Sequence, residues 1–225
     1  MYAIEALNLE KKFGDTMAFR GLTFRVRKGE IYALLGKNGA GKSTTLKIFV
    51  GLLKPDKGEA KILGKSVADR RSVLEHVGYI PEEPVLFPYL TAREVLAFSA
   101  KLRGMEEWEE RADYLLEVFE LDGDKVVTTM SKGMVQKLAA CVALLHEPEI
   151  LIMDEPMANM DPHSQHVFRE LVGNSGATVL ISTHQLAEVE RLCSTVGIIS
   201  DGKLVEERST DDLIDIEEYF LRVVR

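Results

Sequence analysis

The nonapeptide GKNGAGKST, residues 36–44, follows an apolar run, EIYALLG, and combines three glycines, two lysines and a Ser-Thr pair. Gly36, Gly41, Lys42 and Ser43 fit the spacing Gly-x-x-x-x-Gly-Lys-[Ser/Thr], in which glycines let backbone amides turn inward on phosphate oxygens. The loop residues Lys37, Asn38, Gly39, Ala40 and Thr44 complete the cradle, and the helix it opens adds the positive end of its dipole. In that chemistry Lys42 reaches the β and γ phosphates and the Ser43 hydroxyl ligates Mg²⁺. A second candidate is ILIMDEP, 150–156, where four apolar residues lead to Asp154 and Glu155. A carboxylate at the C-terminal end of a buried strand sits where parallel sheets collect ligands, so Asp154 is expected on the Mg²⁺ hydration shell. Glu155, beside it, is placed to polarise an attacking water as general base. The third candidate is His184 in VLISTHQ, again just past an apolar strand, with its imidazole able to point at the γ phosphate or at that water.

Residues that act together must be positioned by elements that share one frame. Segments 2–9 and 17–26 read as strands, the second alternating Leu22, Phe24 and Val26 with polar partners. Strands are also expected at 30–36, 58–64, 76–80, 150–154, 177–182 and 195–200, with a hairpin at Asp201-Gly202 leading into KLVEE. Between them, helices are expected over about 41–53, 161–173 and 185–193. The segment from Pro81 differs: PEEPVLFPYL holds three prolines in ten residues and cannot stay regular for long. Three helices follow, 91–103 behind the capping box Thr91/Glu94, 106–121 with Trp108, Leu115 and Phe119 on one face, and 131–146 capped by Ser131. STDDLIDIEEYFLRVVR, from residue 209, reads as a short helix plus an edge strand. Strands alternating with helices imply a mostly parallel sheet covered on both faces, with a helical lobe inserted.

The composition narrows the function. At 225 residues, 46% hydrophobic and 28% charged, the chain belongs among ordinary globular proteins. Its net charge of −8 provides no global basic field for a phosphate backbone, so no nucleic-acid partner is expected. The longest apolar run, LAACVALL (138–145), has eight residues, far short of the ~18 needed to span a bilayer. The N-terminal MYAIEALNLEKKF carries acidic residues in its apolar stretch and is not a signal peptide. Cys141 and Cys193, distant in sequence and set among apolar or small residues, read as core fillers in a reducing cytoplasm.

The order and spacing of these motifs, with the helix start TTMSKGMVQKL between them, resembles the nucleotide-binding subunit of ATP-binding cassette (ABC) transporters over residues 2 to about 215. The resemblance implies the ABC ATPase fold: an α/β P-loop core with a mostly parallel sheet, an N-terminal antiparallel β subdomain and an inserted helical lobe. It implies a single nucleotide-binding domain over 1–225, with 1–80 and 148–225 as the core lobe and about 84–147 as the helical lobe. It also assigns residues. Phe13 in KKFG takes the place of the aromatic that stacks on adenine. MSKGM, 130–134, stands for the signature LSGGQ, keeping Ser131 and Gly133 while carrying Lys132 and Met134. Lys132 either brings a positive charge near a phosphate or faces solvent. ANMD keeps Asp161 of the family's D-loop, and His184 matches the switch histidine. Glu82 in YIPEEP replaces the glutamine that ligates Mg²⁺; a carboxylate can still ligate the metal but adds negative charge beside an anionic phosphate.

By the same resemblance the chain hydrolyses ATP with Mg²⁺ and powers a membrane transporter, of export rather than import type. Lys42, Glu155 and His184 are then the catalytic residues, and Ser43, Glu82 and Asp154 the metal ligands. Two copies, identical or paralogous, meet head to tail around ATP, with Ser131 and Gly133 of each completing the other's site. The transmembrane permease subunits are expected to meet the segment 82–130, where Leu86, Phe87, Tyr89 and Leu90 look exposed, on the inner face of the cell membrane. No room is left after the core for a regulatory domain of the kind sugar importers carry. Two other functions compete. A soluble cassette ATPase of DNA maintenance, translation or metal-cluster assembly is disfavoured by the acidic charge and the lack of coiled-coil insertions or a second cassette. A catalytically dead regulatory cassette is disfavoured because Lys42, Asp154, Glu155 and His184 are all present.

Overall fold

Alternate side chains of three short strands enter two different hydrophobic cores, which is why their sequences are continuously apolar. The strands are β3 (Ile31–Leu35), β7 (Ile150–Asp154) and β8 (Thr178–Ser182). Tyr32, Leu34, Ile150, Ile152 and Leu180 face one core, while Ala33, Leu35, Leu151, Met153, Val179 and Ile181 face the other. The computed structural model describes residues 1–213 and 215–223. In it these strands join β6 (Val77–Ile80), β9 (Thr195–Ser200) and β10 (Lys203–Ser209) in one sheet of order β10-β9-β3-β8-β7-β6. Every pairing is parallel except the β9–β10 hairpin, where Asp201 and Gly202 both take positive φ, of 48° and 69°.

The first core is closed by a smaller antiparallel sheet and one helix. That sheet runs β2-β1-β4-β5, from β1 (Tyr2–Phe13), β2 (Thr16–Arg27), β4 (Lys57–Ile62) and β5 (Lys65–Ser66). Leu22, Phe24 and Val26 of β2 point inward while Arg25 and Arg27 stay exposed, as their alternation predicts. The helix, α1 (Lys42–Phe49), adds Leu46, Ile48 and Phe49. A short α2 (Arg70–Leu74) precedes β6.

Helices close the second core. α3 (Ala92–Arg103), α4 (Glu109–Val118) and α5 (Lys132–Leu144) lie in sequence between β6 and β7. α6 (Pro162–Asn174), α7 (Leu186–Leu192) and α8 (Ile216–Val223) follow β7, β8 and β10. Leu96, Leu115, Phe119 and Leu138 cluster with Leu151 and Ile181, so the inserted helices share the sheet's own core. α3 starts on the capping box read from the sequence, Thr91 Oγ1 accepting from Glu94 N at 3.2 Å and Glu94 Oε2 accepting from Thr91 N at 2.8 Å.

Several expectations are corrected. α1 stops at Phe49 rather than Leu53, where Gly51 turns the chain with φ 68°. α4 begins at Glu109 rather than Glu106, and Trp108 is only partly buried beside the fully buried Leu115 and Phe119. Phe87 and Tyr89 are exposed, but Leu86 and Leu90 tuck against the second core. Of the short helix and edge strand expected after residue 209, the helix forms as α8, where Ile216, Tyr219, Phe220 and Val223 recur at helical spacing, and no edge strand forms among the described residues. Ile214, Val224 and Arg225 of that segment lie outside the described residues. Cys141 and Cys193 are free and buried, and burial pushes both thiols up, Cys193 to about 12.

His146, just past α5, places Nε2 3.2 Å from the Val77 carbonyl, which also accepts from Arg103 Nη2 at 3.1 Å. Burial and then the Arg103 charge push the imidazole down to about 4, whereas in the unfolded chain it titrates near ~6.5. Between those values the unfolded chain binds a proton that the folded chain refuses, so stability falls as pH drops through that window. Thermal midpoints measured from pH 7 to 4 should therefore fall less steeply for His146→Leu than for the unmodified chain.

Candidate active site

The C-terminal ends of β3, β8 and β7 lie flush, because the parallel register pairs Leu34 with Ser182 and Ser182 with Asp154. Each strand therefore releases its next residues into one cleft, of 760 Å³, within the size range of nucleotide and cofactor sites. From β3 come Gly36, Lys37, Asn38, Gly39, Gly41, Lys42, Ser43 and Thr44, all lining it; Ala40 sits behind them, almost fully buried. Gly41 caps α1 at φ 102° with no side-chain cap, so no side chain occupies the first-turn amides. A Cβ there would stand 3.0 Å from the Ala18 carbonyl oxygen and from the Phe19 ring.

Lys42 is buried and donates to the carbonyl oxygens of Gly36 at 2.7 Å and Lys37 at 3.3 Å. Burial lowers its pKa, opposed by the charges of Glu155, Asp154 and Glu82. Asp154, 2% exposed, accepts from Ser43 Oγ at 3.1 Å and, through the same oxygen, from Ser182 Oγ. Glu155 follows with φ 46°, a strained value for a residue with a Cβ. That turn is fixed by its own amide, which donates to the Ser182 carbonyl at 2.9 Å. Glu155 Oε1 lies 2.8 Å from His184 Nδ1, and Glu155 Oε2 accepts from Thr183 Oγ1 at 3.2 Å. Glu82 lines the cleft from the loop after β6, and Phe13 lines its mouth with Lys11 Nζ 5.5 Å from the ring centroid.

Thirteen expected residues thus meet in one cleft, from Phe13 and the 36–44 loop to Glu82, Asp154, Glu155 and His184. Ser131, Gly133 and Asp161 do not line it. Ser131 caps α5, its Oγ accepting from Met134 N at 3.2 Å, and Lys132 is exposed beside it. Gly133 is required by a close approach: a Cβ would meet the Asn159 carbonyl oxygen at 2.5 Å. One turn on, buried Gln136 donates to the Pro156 carbonyl at 3.0 Å and Lys137 reaches Asp161 at 3.2 Å. Asp161 itself caps α6, accepting from Ser164 N and Oγ; the Ser164 bonds and then Lys137 hold its carboxyl well below the usual range. The start of α5 is therefore tied to the loop 155–161 that carries Glu155. Residues missed by sequence reading also line the cleft: Thr16, Met17 and Ala18 at the start of β2, Thr183, Leu186, and Phe220 of α8. Thr183 had a signal, lying next to His184 in ISTH; the others arrive by tertiary packing alone.

The ABC transporter family matches residues 19–158. The chain is 38% identical over 222 residues to Nod factor export ATP-binding protein I of Burkholderia orbicola (strain AU 1054), covering 95% of this chain and 73% of that protein. A solved ATP-binding subunit of an ABC transporter superposes with a TM-score of 0.93 at 34% identity, covering 98% of this chain and 99% of that one. A dimeric ATP-binding cassette, solved in a post-hydrolysis state with ADP and Pi, superposes with a TM-score of 0.80 at 26% identity, over 92% of this chain and 98% of that one.

Gly41→Ala places a methyl group at a left-handed φ against Phe19, so the loop must shift. Nucleotide affinity measured by titration is expected to fall at least about tenfold, with roughly 1–3 kcal/mol lost in stability.

Proposed function

We propose, from the premise that this chain belongs to the ABC transporter family, that it is the ATP-hydrolysing subunit of an export-type membrane transporter. Members of the family that match it bind ATP, and the chain is an ATPase. Residues 1–225 would form one nucleotide-binding domain, with 1–80 and 148–225 as its core lobe and about 84–147 as its helical lobe.

In this mechanism the amides of the 36–44 loop hold the phosphates and Lys42 turns from the Gly36 and Lys37 carbonyls toward them. Among the described residues no three His, Cys, Asp or Glu side chains form a metal cluster by themselves. The Ser43 hydroxyl and Asp154 carboxylate, in contact with each other beside the cradle, instead form a hard-oxygen donor set. That set fits Mg²⁺, which keeps several waters and takes phosphate oxygens, and Glu82 lines the same cleft as a third donor. Mg²⁺ bound there would neutralise developing phosphate charge. Glu155 takes the proton of the attacking water, and His184 holds the carboxylate that does so. The observation that carries this reading is the pairing of Glu155 with His184 at the strand ends that also present Lys42 and Asp154.

The partner's site would be completed by Ser131 and Gly133, which do not line their own chain's cleft; Ser131 is exposed and Gly133 half-buried. A related cassette was solved as a dimer, and the reading assigns a head-to-tail pair here, with itself or a paralogue. No helix among the described residues is long and apolar enough to cross a membrane. The reading assigns that crossing to hydrophobic permease subunits, with this chain on the cytoplasmic face. Their docking surface would be the apolar side chains Val85, Phe87 and Tyr89, continued by exposed Phe98, against which Phe87 packs edge-on at 4.8 Å. The comparison with a Nod factor export protein supports the export direction.

Glu155→Gln retains the cradle but removes the base, so ATP should convert it from monomer to dimer in light scattering. A persistent monomer at millimolar ATP would count against the sandwich. In the assembled transporter, Phe87→Ala with Tyr89→Ala should abolish ATP-driven export while nucleotide binding stays within about twofold. Unchanged export would remove this surface from the coupling role.

A further inference from the structure

A second carboxyl group stands directly behind Glu155 and has no part in the steps assigned to the cleft. Glu188, on α7, is 4% exposed. Its Oε2 lies 2.8 Å from Thr183 Oγ1, and the same hydroxyl lies 3.2 Å from Glu155 Oε2. The Gln185 amide occupies another side of that oxygen, donating to it at 3.0 Å. Glu188 Oε1 is buried with no hydrogen-bond partner.

A threonine hydroxyl carries one proton and donates to one carboxylate only. Were both carboxyls ionised, one would be left buried beside an oxygen that offers it nothing, repelled by the other. The contacts are satisfied together when Glu188 is neutral: its O–H donates to Thr183 Oγ1, and Thr183 donates to Glu155 Oε2. Burial favours that neutral form by raising the Glu188 pKa; the Thr183 bond opposes the shift and the Glu155 charge adds to it. Glu155 is then gripped at both oxygens, by His184 at Oε1 and by the Thr183 hydroxyl at Oε2. A carboxylate held at both ends cannot swing away from the water it must deprotonate, which is how a supporting contact raises turnover without touching substrate.

We propose that Glu188 is a positioning residue for hydrolysis, acting through the Thr183 hydroxyl to fix the Glu155 carboxylate against His184. The proposal rests on Glu155 being the group that accepts the proton of water.

Steady-state ATP turnover and nucleotide titration of the full chain test it. Glu188→Ala should lower kcat about tenfold while ATP affinity stays within twofold, since Glu188 is not among the residues lining the cleft. Glu188→Gln keeps a neutral donor toward Thr183 and should recover most of that loss. Thr183→Val should match the alanine variant, and the double variant should be no worse than either single one, because both cut the same chain. Undiminished turnover in Glu188→Ala, a glutamine as impaired as the alanine, or additive losses would each overturn the proposal. Should Glu188→Ala not fold, Thr183→Ser and Thr183→Val decide: the serine keeps the hydroxyl and should recover what the valine loses, and equal turnover in the two overturns it. Glu155→Gln separates the two levels. Wild-type turnover in that variant removes the base assignment itself, whereas a dead Glu155→Gln beside a fully active Glu188→Ala removes only the role of Glu188.

Discussion

The flush register of β3, β8 and β7 is the constraint on which the rest of the molecule depends. Parallel hydrogen bonding pairs Leu34 with Ser182 and Ser182 with Asp154, so the cradle, the acidic pair and the Thr183-His184 turn leave the sheet at one level. A slip of one residue would turn every side chain of a strand to the opposite core and carry its terminal residue about 3.3 Å out of line. The two cores prevent that slip. Tyr32, Leu34, Ile150, Ile152 and Leu180 are committed to one, and Ala33, Leu35, Leu151, Met153, Val179 and Ile181 to the other. Packing within the two cores therefore sets the geometry of the cleft.

Carboxylates outnumber buried cations in the cleft. Asp154, Glu155 and Glu82 all act on the single buried ammonium of Lys42, and Glu188 stands behind them. The buried carboxylates are held mainly by hydroxyls, Ser43 and Ser182 on Asp154 and Thr183 on Glu155, with His184 as the other partner of Glu155. Hydroxyl donors satisfy the oxygens without neutralising them, so the negative potential remains available to attract a cation. Lys42 meanwhile is held by carbonyl oxygens and can exchange them for phosphate oxygens at little net loss of hydrogen bonding.

The helix that starts at Ser131 touches the loop that carries Glu155 without lining the cleft. Gly133 lets α5 press on the Asn159 carbonyl, Gln136 holds the Pro156 carbonyl, and Lys137 pairs with Asp161. These contacts fall within the loop that begins at Glu155, whose positive φ makes its orientation sensitive to how the loop is held.

The sequence by itself determined the glycine-rich loop at 36–44, the strand-end acids and the sheet that carries them. Each rests on local chemistry: glycine conformation at 36–41, the apolar runs of β3, β7 and β8, and the capping boundaries at Thr91 and Ser131. The family resemblance was legible for the same reason, since its motifs are contiguous in the chain. Boundaries set by competition between local and tertiary terms were less legible, as the early end of α1 and the late start of α4 show. After residue 209 the short helix was legible in the spacing of Ile216, Tyr219, Phe220 and Val223, whereas the edge strand expected beside it does not form among the described residues. Only the tertiary structure decided which residues share the cleft and which support it. Phe220, the reach of Thr183 to Glu155 and the contacts of Gln136 depend on distances between elements far apart in the chain, and no periodicity or spacing along one strand or helix encodes those distances.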